Sequence, residues 1–172
     1  GSPNFITFTN VFAHIADLPE LLESLRLLIS CNTIIIIENH YLGAILESNQ
    51  FDTFYHEHPR TYSYRSFQFI ARSLGLNILD AQYVSRYGGN IRVYLGKGKE
   101  QSKPNKNEAS FRDNFIETQL SVKKWKVETR VMILDLINTY GKLRAKAFPG
   151  RAAILIKLLE LDETHISAVY EI

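Results

Sequence analysis

Apolar positions in the first third of the chain alternate between strand-like and helix-like spacing. Nearly alternating β-branched and aromatic residues predict a strand over residues 4–11. Apolar residues then recur at helical spacing from Leu18 to Ile29, with Pro19 in the first turn, where proline is tolerated. The aliphatic run from Thr33 to Glu38 is typical of a strand buried on both faces and favours a mostly parallel sheet. This order predicts a βαβ unit.

Two helices and a hairpin are predicted in the middle of the chain. Apolar spacing indicates a short helix from Leu42 to Asn49 and another from Ser66 to Leu74, closed by Gly75. Strand-like runs follow at residues 76–84 and 90–96, separated by a turn whose two glycines permit positive φ. We expect these two strands to form a hairpin at one edge of the sheet.

A polar stretch divides the chain. Residues 97–108 lack large apolar side chains, which is typical of a domain boundary or a flexible connection. Beyond it, apolar positions predict one long helix from Ala109 to about Ala145, with an imperfect stripe that allows a break near Ser121. We therefore predict a first domain at residues 4–96, a linker, and a second unit at residues 109–172.

The end of the chain predicts part of a second βαβ-like unit. A short strand is expected from Lys146 to Pro149, followed by a tight turn that enters a helix in the run PGRAAILIKLLEL. A closing strand is expected from His165 to Ile172. The predicted fold class is therefore α/β, with a sheet, a long helix and part of a second α/β unit.

Composition narrows the function classes. The chain has 172 residues, of which 45% are hydrophobic and 22% charged, and its net charge of +2 gives no sign of nucleic-acid or membrane binding. Its longest apolar run, Thr33 to Ile37, is far shorter than the ~20 residues that span a bilayer. A single cysteine, Cys31, excludes an intramolecular disulfide and favours a reducing compartment. We expect a cytoplasmic protein.

Position and composition both indicate a reacting centre. Ligands of open α/β sheets gather beyond the carboxyl ends of strands, which marks Asn10 to His14 and Glu38 to Tyr41 as candidates. The stretch from Phe51 to Tyr64 is dense in histidine, tyrosine and acidic residues. Within it, His58 beside Glu57 offers a base and its orienting carboxylate, and the Tyr55 hydroxyl offers a hydrogen bond to a developing oxyanion. These groups suit proton abstraction next to a carbonyl.

Other interpretations remain open from the residues alone. His56 and His58, with His14 elsewhere, could bind a metal ion, but an H-x-H pair is a weak signal because a protein zinc site needs three or four ligands. The same residues could form a purely structural hydrogen-bond network. The helix start near Arg151, and the glycine pair near Arg92, are candidate anion sites.

Four segments carry a family resemblance: NVFAHIADL, ENHYLGAILESNQFDTFYHEHPRTYS, YGGNIRVYLG, and GRAAILIKLLEL with AVYEI. In order and spacing they resemble the S-adenosylmethionine-dependent C-methyltransferases that act on nucleotide-linked keto-sugars. The most specific segment is FDTFYHEH. The resemblance implies an N-terminal zinc-binding region, a central Rossmann-like methyltransferase domain and a C-terminal α/β domain, of which this chain would hold the second half of the methyltransferase domain and the start of the last domain.

The resemblance also implies a reaction. A carbon next to the keto group would lose a proton, and the resulting enolate would take a methyl group from the cofactor. His58 would be the leading base, Tyr55 an alternative base or the oxyanion donor, Glu57 the orienting group and His14 a further polar contact. Asn10 would lie near the cofactor.

The hairpin turn matches the family's glycine-glycine loop, where substrate or pocket-shaping contacts are expected from Gly88, Gly89, Asn90 and Arg92. The family's glycine-rich cofactor turn and its zinc-binding cysteines have no counterpart here. We therefore expect a catalytic portion that holds S-adenosylmethionine poorly by itself, with no metal site. The alternative is a non-catalytic binding or assembly module of the same fold.

Overall fold

The computed structural model describes residues 1–101, 106–146 and 150–170. It contains a four-stranded sheet with helices and, farther along the chain, a two-stranded sheet. The predicted α/β class is confirmed.

The larger sheet has the strand order β1-β2-β4-β3. Its strands are β1 (Phe5–Thr9), β2 (Ile34–His40), β3 (Asn77–Val84) and β4 (Asn90–Gly96). β1 and β2 are parallel, whereas β4 is antiparallel to both β2 and β3. The expected edge hairpin is confirmed, but only one of the three strand pairings is parallel. The aliphatic run is fully buried on the face of Ile35 and Ile37 and partly buried at Ile34 and Ile36, and burial does not specify the direction of the neighbouring strand.

Three helices accompany this sheet: α1 (Leu18–Leu28), α2 (Leu42–Glu47) and α3 (Tyr64–Ser73). Each lies within one or two residues of its prediction. The Ser63 hydroxyl accepts a hydrogen bond from the Ser66 amide, so α3 begins earlier than its apolar stripe alone indicated. Short 3₁₀ turns lie at Phe12–His14, Phe51–Thr53, Arg86–Gly88 and Lys106–Ser110.

The main core lies where β2 and β4 meet α1, α3 and the 3₁₀ turn after β1. Phe12 packs edge-on to Tyr62, whose ring stacks on Phe67 at a centroid distance of 4.9 Å. The fully buried apolar side chains of this core include Phe12, Ile35, Ile37, Phe67, Ile78, Ile91, Val93 and Leu95. Burial of each contributes about 1.5–3 kcal/mol, which fixes the sheet ends that carry the polar residues described below.

The long helix α4 (Phe111–Tyr140) runs for 30 residues without interruption. The break allowed near Ser121 is therefore absent, and the helix ends before the expected Ala145. Gly141, at φ 77°, takes a left-handed conformation that terminates it. Trp125 of α4 packs against Phe51 at a centroid distance of 5.0 Å, which joins the long helix to the histidine-rich stretch.

A second βαβ unit follows α4. Strand β5 (Leu143–Lys146) pairs in parallel with β6 (Ile166–Tyr170), and α5 (Gly150–Leu158) connects them. The helix and the closing strand agree with prediction over these residues. Of the short strand expected at Lys146 to Pro149, the described part of the chain includes only Lys146, which belongs to β5. Residues 147–149 and 171–172 lie outside the described residues.

Glu108 ties the start of α4 to the first sheet. It lies in the segment predicted as a linker, yet only 7% of it is exposed. Its carboxylate accepts hydrogen bonds from the backbone amides of Tyr64 and Arg65, at 2.7 and 3.2 Å, and from the Tyr41 hydroxyl at 3.2 Å. A carboxylate at the first turn of α3 also interacts favourably with the helix dipole. The domain boundary itself stays a prediction.

Across the described ranges, every helix is too short or too polar to cross a membrane.

Replacement of Glu108 by alanine should lower the free energy of unfolding by about 2–3 kcal/mol, because three hydrogen bonds to a buried carboxylate are lost. Urea denaturation measures this change. Glu163→Ala is the matched control, since Glu163 is exposed and its substitution should change stability by less than about 0.5 kcal/mol. Equal effects of the two substitutions would contradict the anchoring role of Glu108.

Candidate functional site

A cavity of about 500 Å³ lies beyond the carboxyl ends of β1 and β2. The end of β1 and the turn after it contribute Asn10, Ala13 and His14. The end of β2 contributes Asn39 and His40. The two strand-end segments singled out by position therefore meet at one cavity, as expected for an α/β sheet.

The remaining walls come from three distant parts of the chain. They are Tyr55 and His58 of the histidine-rich stretch, Tyr87 of the hairpin turn, and Arg151 of α5. The His58 ring lies 4.6 Å from both the Tyr55 and the His14 ring, centroid to centroid, and 5.9 Å from the His40 ring. His58 is thus the centre of an aromatic cluster.

Hydrogen bonding defines the tautomer of His58. Its Nδ1 lies 3.2 Å from the Thr53 carbonyl oxygen, and a carbonyl only accepts, so Nδ1 carries the proton. Its Nε2 is then the acceptor and faces the Tyr55 hydroxyl at 3.5 Å. Burial, with the nearby His14 and Arg151, lowers the pKa of His58 below its usual range. The imidazole is therefore neutral at pH 7, with Nε2 as its basic nitrogen.

Glu57 does not make the contact expected of an orienting carboxylate. The Thr53 carbonyl, rather than Glu57, bonds the His58 Nδ1. The Glu57 carboxylate lies 3.9 Å from His56 Nε2, and it contributes, after burial, to raising the pKa of Tyr55. Tyr55 consequently keeps its hydroxyl proton at neutral pH. A catalytic role for Glu57 stays a prediction.

His56 lies outside the cavity, although its ring lies 5.8 Å from the Tyr55 ring, centroid to centroid. Its side chain is 84% exposed and does not line the cavity, so the H-x-H pair does not converge. In the part of the chain that the structure describes, no group of three histidine, cysteine, aspartate or glutamate side chains could hold a metal ion.

His40 is a cavity residue that no sequence motif identified. Burial, together with the charges of Arg151 and His58, lowers its pKa to about 4. Its only sequence signal was its place just after the aliphatic run of β2. Asn39 beside it had the same signal and no other.

Arg151 brings the second βαβ unit to the cavity. It lies in the first turn of α5, and its guanidinium is 3.7 Å from the Asp52 carboxylate. A Cβ on Gly150 would lie 3.4 Å from the Tyr55 ring, so the start of α5 sits directly against the histidine-rich stretch. The sequence indicated Arg151 as a candidate anion contact, but not that it would share a cavity with His58.

Asn10 is held in the cavity wall by a buried network. Its φ of 53° is left-handed, a conformation that asparagine tolerates. Its side-chain oxygen accepts a hydrogen bond from Asn90 Nδ2 at 3.0 Å, and the same nitrogen donates to Glu38 at 3.0 Å. Arg92 Nε donates to Glu38 at 2.8 Å. Burial alone would raise the pKa of Glu38, but the hydrogen bonds from Asn90 and Arg92 hold it below its usual range.

The sequence predicted substrate or pocket-shaping contacts for Asn90 and Arg92, and a substrate contact stays a prediction. Neither lines the cavity; Asn90 is 1% exposed, and Arg92 is paired with Glu38. Asn90 holds the Asn10 side chain through its hydrogen bond, and Arg92 acts one step farther away through Glu38.

The two turn glycines also lie outside the cavity lining. A Cβ on Gly88 would collide with the Gln50 side chain, and one on Gly89 would collide with Ala44 of α2. Both have positive φ, at 83° and 127°, so close packing and backbone conformation each account for glycine here. This turn shapes the cavity by placing Tyr87 on its rim.

The low pKa of His40 predicts a pH-dependent stability. An unfolded chain binds a proton at this histidine near pH 6.5, whereas the folded protein resists until about pH 4. The unfolded state thus binds more protons in this window, and stability falls as the pH drops through it. In urea denaturation, the free energy of unfolding of His40→Gln should fall less between pH 7 and pH 4 than that of wild type. Part of the fall should remain in this variant, because the pKa of His58 is also lowered in the folded protein.

His56→Gln is the matched control, because it removes an exposed histidine from the same region. It should follow the wild-type pH dependence. Parallel curves for wild type and His40→Gln would show that the folded environment of His40 does not oppose its protonation.

Comparison with known proteins gives independent evidence on the reaction class. No family model matches the chain. Over 83 residues it is 36% identical to the C-methyltransferase NovU of Streptomyces niveus, a match that covers 48% of this chain and 20% of that relative. The chain therefore matches about a fifth of the relative's length. This partial similarity supports a relationship to C-methyltransferases and, in general terms, a methyl-transfer function.

Proposed function

We propose that this protein takes part in S-adenosylmethionine-dependent C-methylation of a nucleotide-linked keto-sugar, through base-catalysed formation of an enolate. The observation that carries the proposal is the Tyr55–His58 pair in the cavity at the strand ends. The partial similarity to a C-methyltransferase supports the reaction class.

His58 supplies the base. Its Nδ1 proton is directed to the Thr53 carbonyl, which fixes the ring and leaves Nε2, 3.5 Å from the Tyr55 hydroxyl, as the basic nitrogen. A base must be unprotonated to act, and the lowered pKa of His58 keeps it so at neutral pH. In the proposed step Nε2 takes the proton from the carbon next to the keto group, and the electron pair moves onto the keto oxygen.

Tyr55 supplies the hydrogen bond to the developing oxyanion. The sequence left it open whether this residue is a base or a donor. Because burial and Glu57 raise its pKa, its hydroxyl stays protonated and donates rather than accepts. It also lies against His58, so donor and base can act on the two neighbouring atoms of one ketone.

Arg151 supports an anionic substrate. Its side chain lines the cavity, is 32% exposed, and is only loosely paired with Asp52 at 3.7 Å. A guanidinium in this position suits the phosphate groups of a nucleotide-linked sugar.

The described residues fit S-adenosylmethionine only in part. Asn10 lines the cavity and uses its side-chain oxygen in the Asn90 bond, which leaves its NH₂ group to donate to a ligand. No glycine-rich turn is present in the sequence to receive the rest of the cofactor. When bound, the cofactor would supply the methyl group; the chain's own residues account for the proton-transfer step.

Proton abstraction can be tested without the cofactor. In deuterium oxide, the chain should catalyse deuterium exchange at the carbon next to the ketone of thymidine diphosphate 4-keto-6-deoxyglucose, followed by proton NMR. His58→Ala should slow the exchange by about 10²–10⁴-fold, because the general base is lost. Tyr55→Phe should slow it by about 10–10³-fold through loss of the oxyanion donor.

His56→Ala is the control from the same motif, since this exposed side chain lies outside the cavity. It should retain the wild-type exchange rate. Wild-type rates in both His58→Ala and Tyr55→Phe would exclude this pair from the chemistry. Absence of exchange in the wild type would favour the alternative of a non-catalytic module.

Isothermal titration calorimetry tests the cofactor separately. Because the described residues offer little beyond Asn10, the 172-residue chain should bind S-adenosylmethionine weakly or not at all. Micromolar affinity would show that the chain holds a cofactor site that its sequence and cavity do not indicate.

A further inference from the structure

Asn39 occupies a core position with a polar side chain. In a strand, alternate residues face the same side, so Asn39 continues the row of Ile35 and Ile37. Those two isoleucines are 0% exposed and belong to the main core, and Asn39 is only 2% exposed. A third aliphatic residue would be the ordinary choice here.

No hydrogen bond joins the Asn39 carboxamide to another described residue, and neither of its polar atoms is among the fully enclosed unpaired ones, which are Thr53 Oγ1 and Asn90 Oδ1; the carboxamide therefore opens onto the cavity that Asn39 lines. Asn90 provides the internal comparison. It is equally buried, at 1% exposed, but its NH₂ group donates to both Asn10 and Glu38. Of two buried asparagines at the strand ends, one is part of a structural network and the other opens onto the cavity.

Buried polar groups in folded proteins are almost always paired, because an unpaired one loses its hydrogen bonds to water without replacement. The Asn39 carboxamide has no partner in the described part of the protein and opens onto the cavity, so it is available to hydrogen-bond a ligand there. It has one donor and one acceptor side, which together match a hydroxyl group. A carbonyl oxygen would use only its NH₂ side.

We propose that Asn39 is a specificity-determining residue that hydrogen-bonds a sugar hydroxyl of the substrate held in the His58 cavity. This inference rests on the proposed function, since it takes a keto-sugar as the ligand. A site that pairs a buried polar group with a hydroxyl rejects the analogue lacking it, because the carboxamide is then left unpaired. Asn39 thus selects for a hydroxyl-bearing sugar and against its deoxy counterpart.

The first experiment asks whether the carboxamide is structural. Urea denaturation of the ligand-free chain compares Asn39→Leu and Asn39→Ala with Asn90→Leu. Asn39→Leu should unfold at the same or a higher urea concentration than wild type, because no hydrogen bond is lost and an unpaired group is removed. Asn90→Leu should unfold at a lower concentration. If Asn39→Leu and Asn39→Ala are both as destabilised as Asn90→Leu, Asn39 is structural and the proposal is wrong.

The second experiment measures specificity. Heteronuclear NMR titrations of the 172-residue chain use thymidine diphosphate 4-keto-6-deoxyglucose and its counterparts that lack the second or the third hydroxyl. One deoxy probe should bind wild type at least about tenfold more weakly than the parent probe. In Asn39→Leu and Asn39→Ala this preference should disappear, with binding of that deoxy probe changed less than about twofold.

The outcomes separate this inference from the function on which it rests. If wild type binds the parent probe but shows no hydroxyl preference, or if Asn39→Leu and Asn39→Ala keep the preference, the role of Asn39 is overturned and the keto-sugar substrate stands. If wild type binds none of the probes, the proposed substrate class is overturned, and the role of Asn39 with it.

Discussion

The site depends on one buried carboxylate at the end of the central strands. Glu38 of β2 is 3% exposed, and its carboxylate accepts hydrogen bonds from the side chains of Asn90 and Arg92, both in β4. Its backbone carbonyl accepts the Asn10 amide at 2.8 Å, which extends the β1–β2 ladder past the end of β1. Three strand ends are therefore fixed to one residue. Because the hydrogen bonds keep Glu38 ionised in spite of its burial, the attachment persists at neutral pH.

Around this anchor the cavity combines cationic surroundings with neutral histidines. Arg151 and partial burial disfavour a charge on both His58 and His40, and the Thr53 carbonyl decides which nitrogen of His58 carries the proton. Burial and the Glu57 carboxylate raise the pKa of Tyr55, although Arg151 acts in the opposite direction. A neutral base beside a protonated donor is the division of roles that removal of a proton next to a ketone needs.

The two α/β units are not independent at this site. The start of α5 packs against Tyr55, and its Arg151 reaches both Asp52 and the cavity. The Trp125 ring of α4 also packs against Phe51, at the start of the same stretch. The histidine-rich stretch has little regular structure of its own, so its geometry depends on these contacts from residues far along the chain.

Local patterns in the sequence determined most of the elements. Apolar spacing placed β1, α1 and the hairpin correctly, because an element that turns one face to the core repeats at a fixed period, and an unbroken aliphatic run placed β2. The dense polar stretch gave Tyr55 and His58, and strand-end position included Asn10 and His14. These signals are short-range, and they are present in the chain before it folds.

Tertiary structure decided the strand directions and the lining of the cavity, because both depend on which distant residues come into contact. The β2–β4 pairing set strand direction, which aliphatic burial does not encode. Folding gave the orienting contact of His58 to a backbone carbonyl, which has no sequence signature, rather than to Glu57. It moved Asn90 and Arg92 behind the cavity wall and brought His40, Asn39 and Arg151 into it. The sequence by itself determined which chemical groups are available. Only the packing of α5 against the histidine-rich stretch, beside the strand ends, decided which of them line the cavity, since burial and pairing are properties of the whole fold.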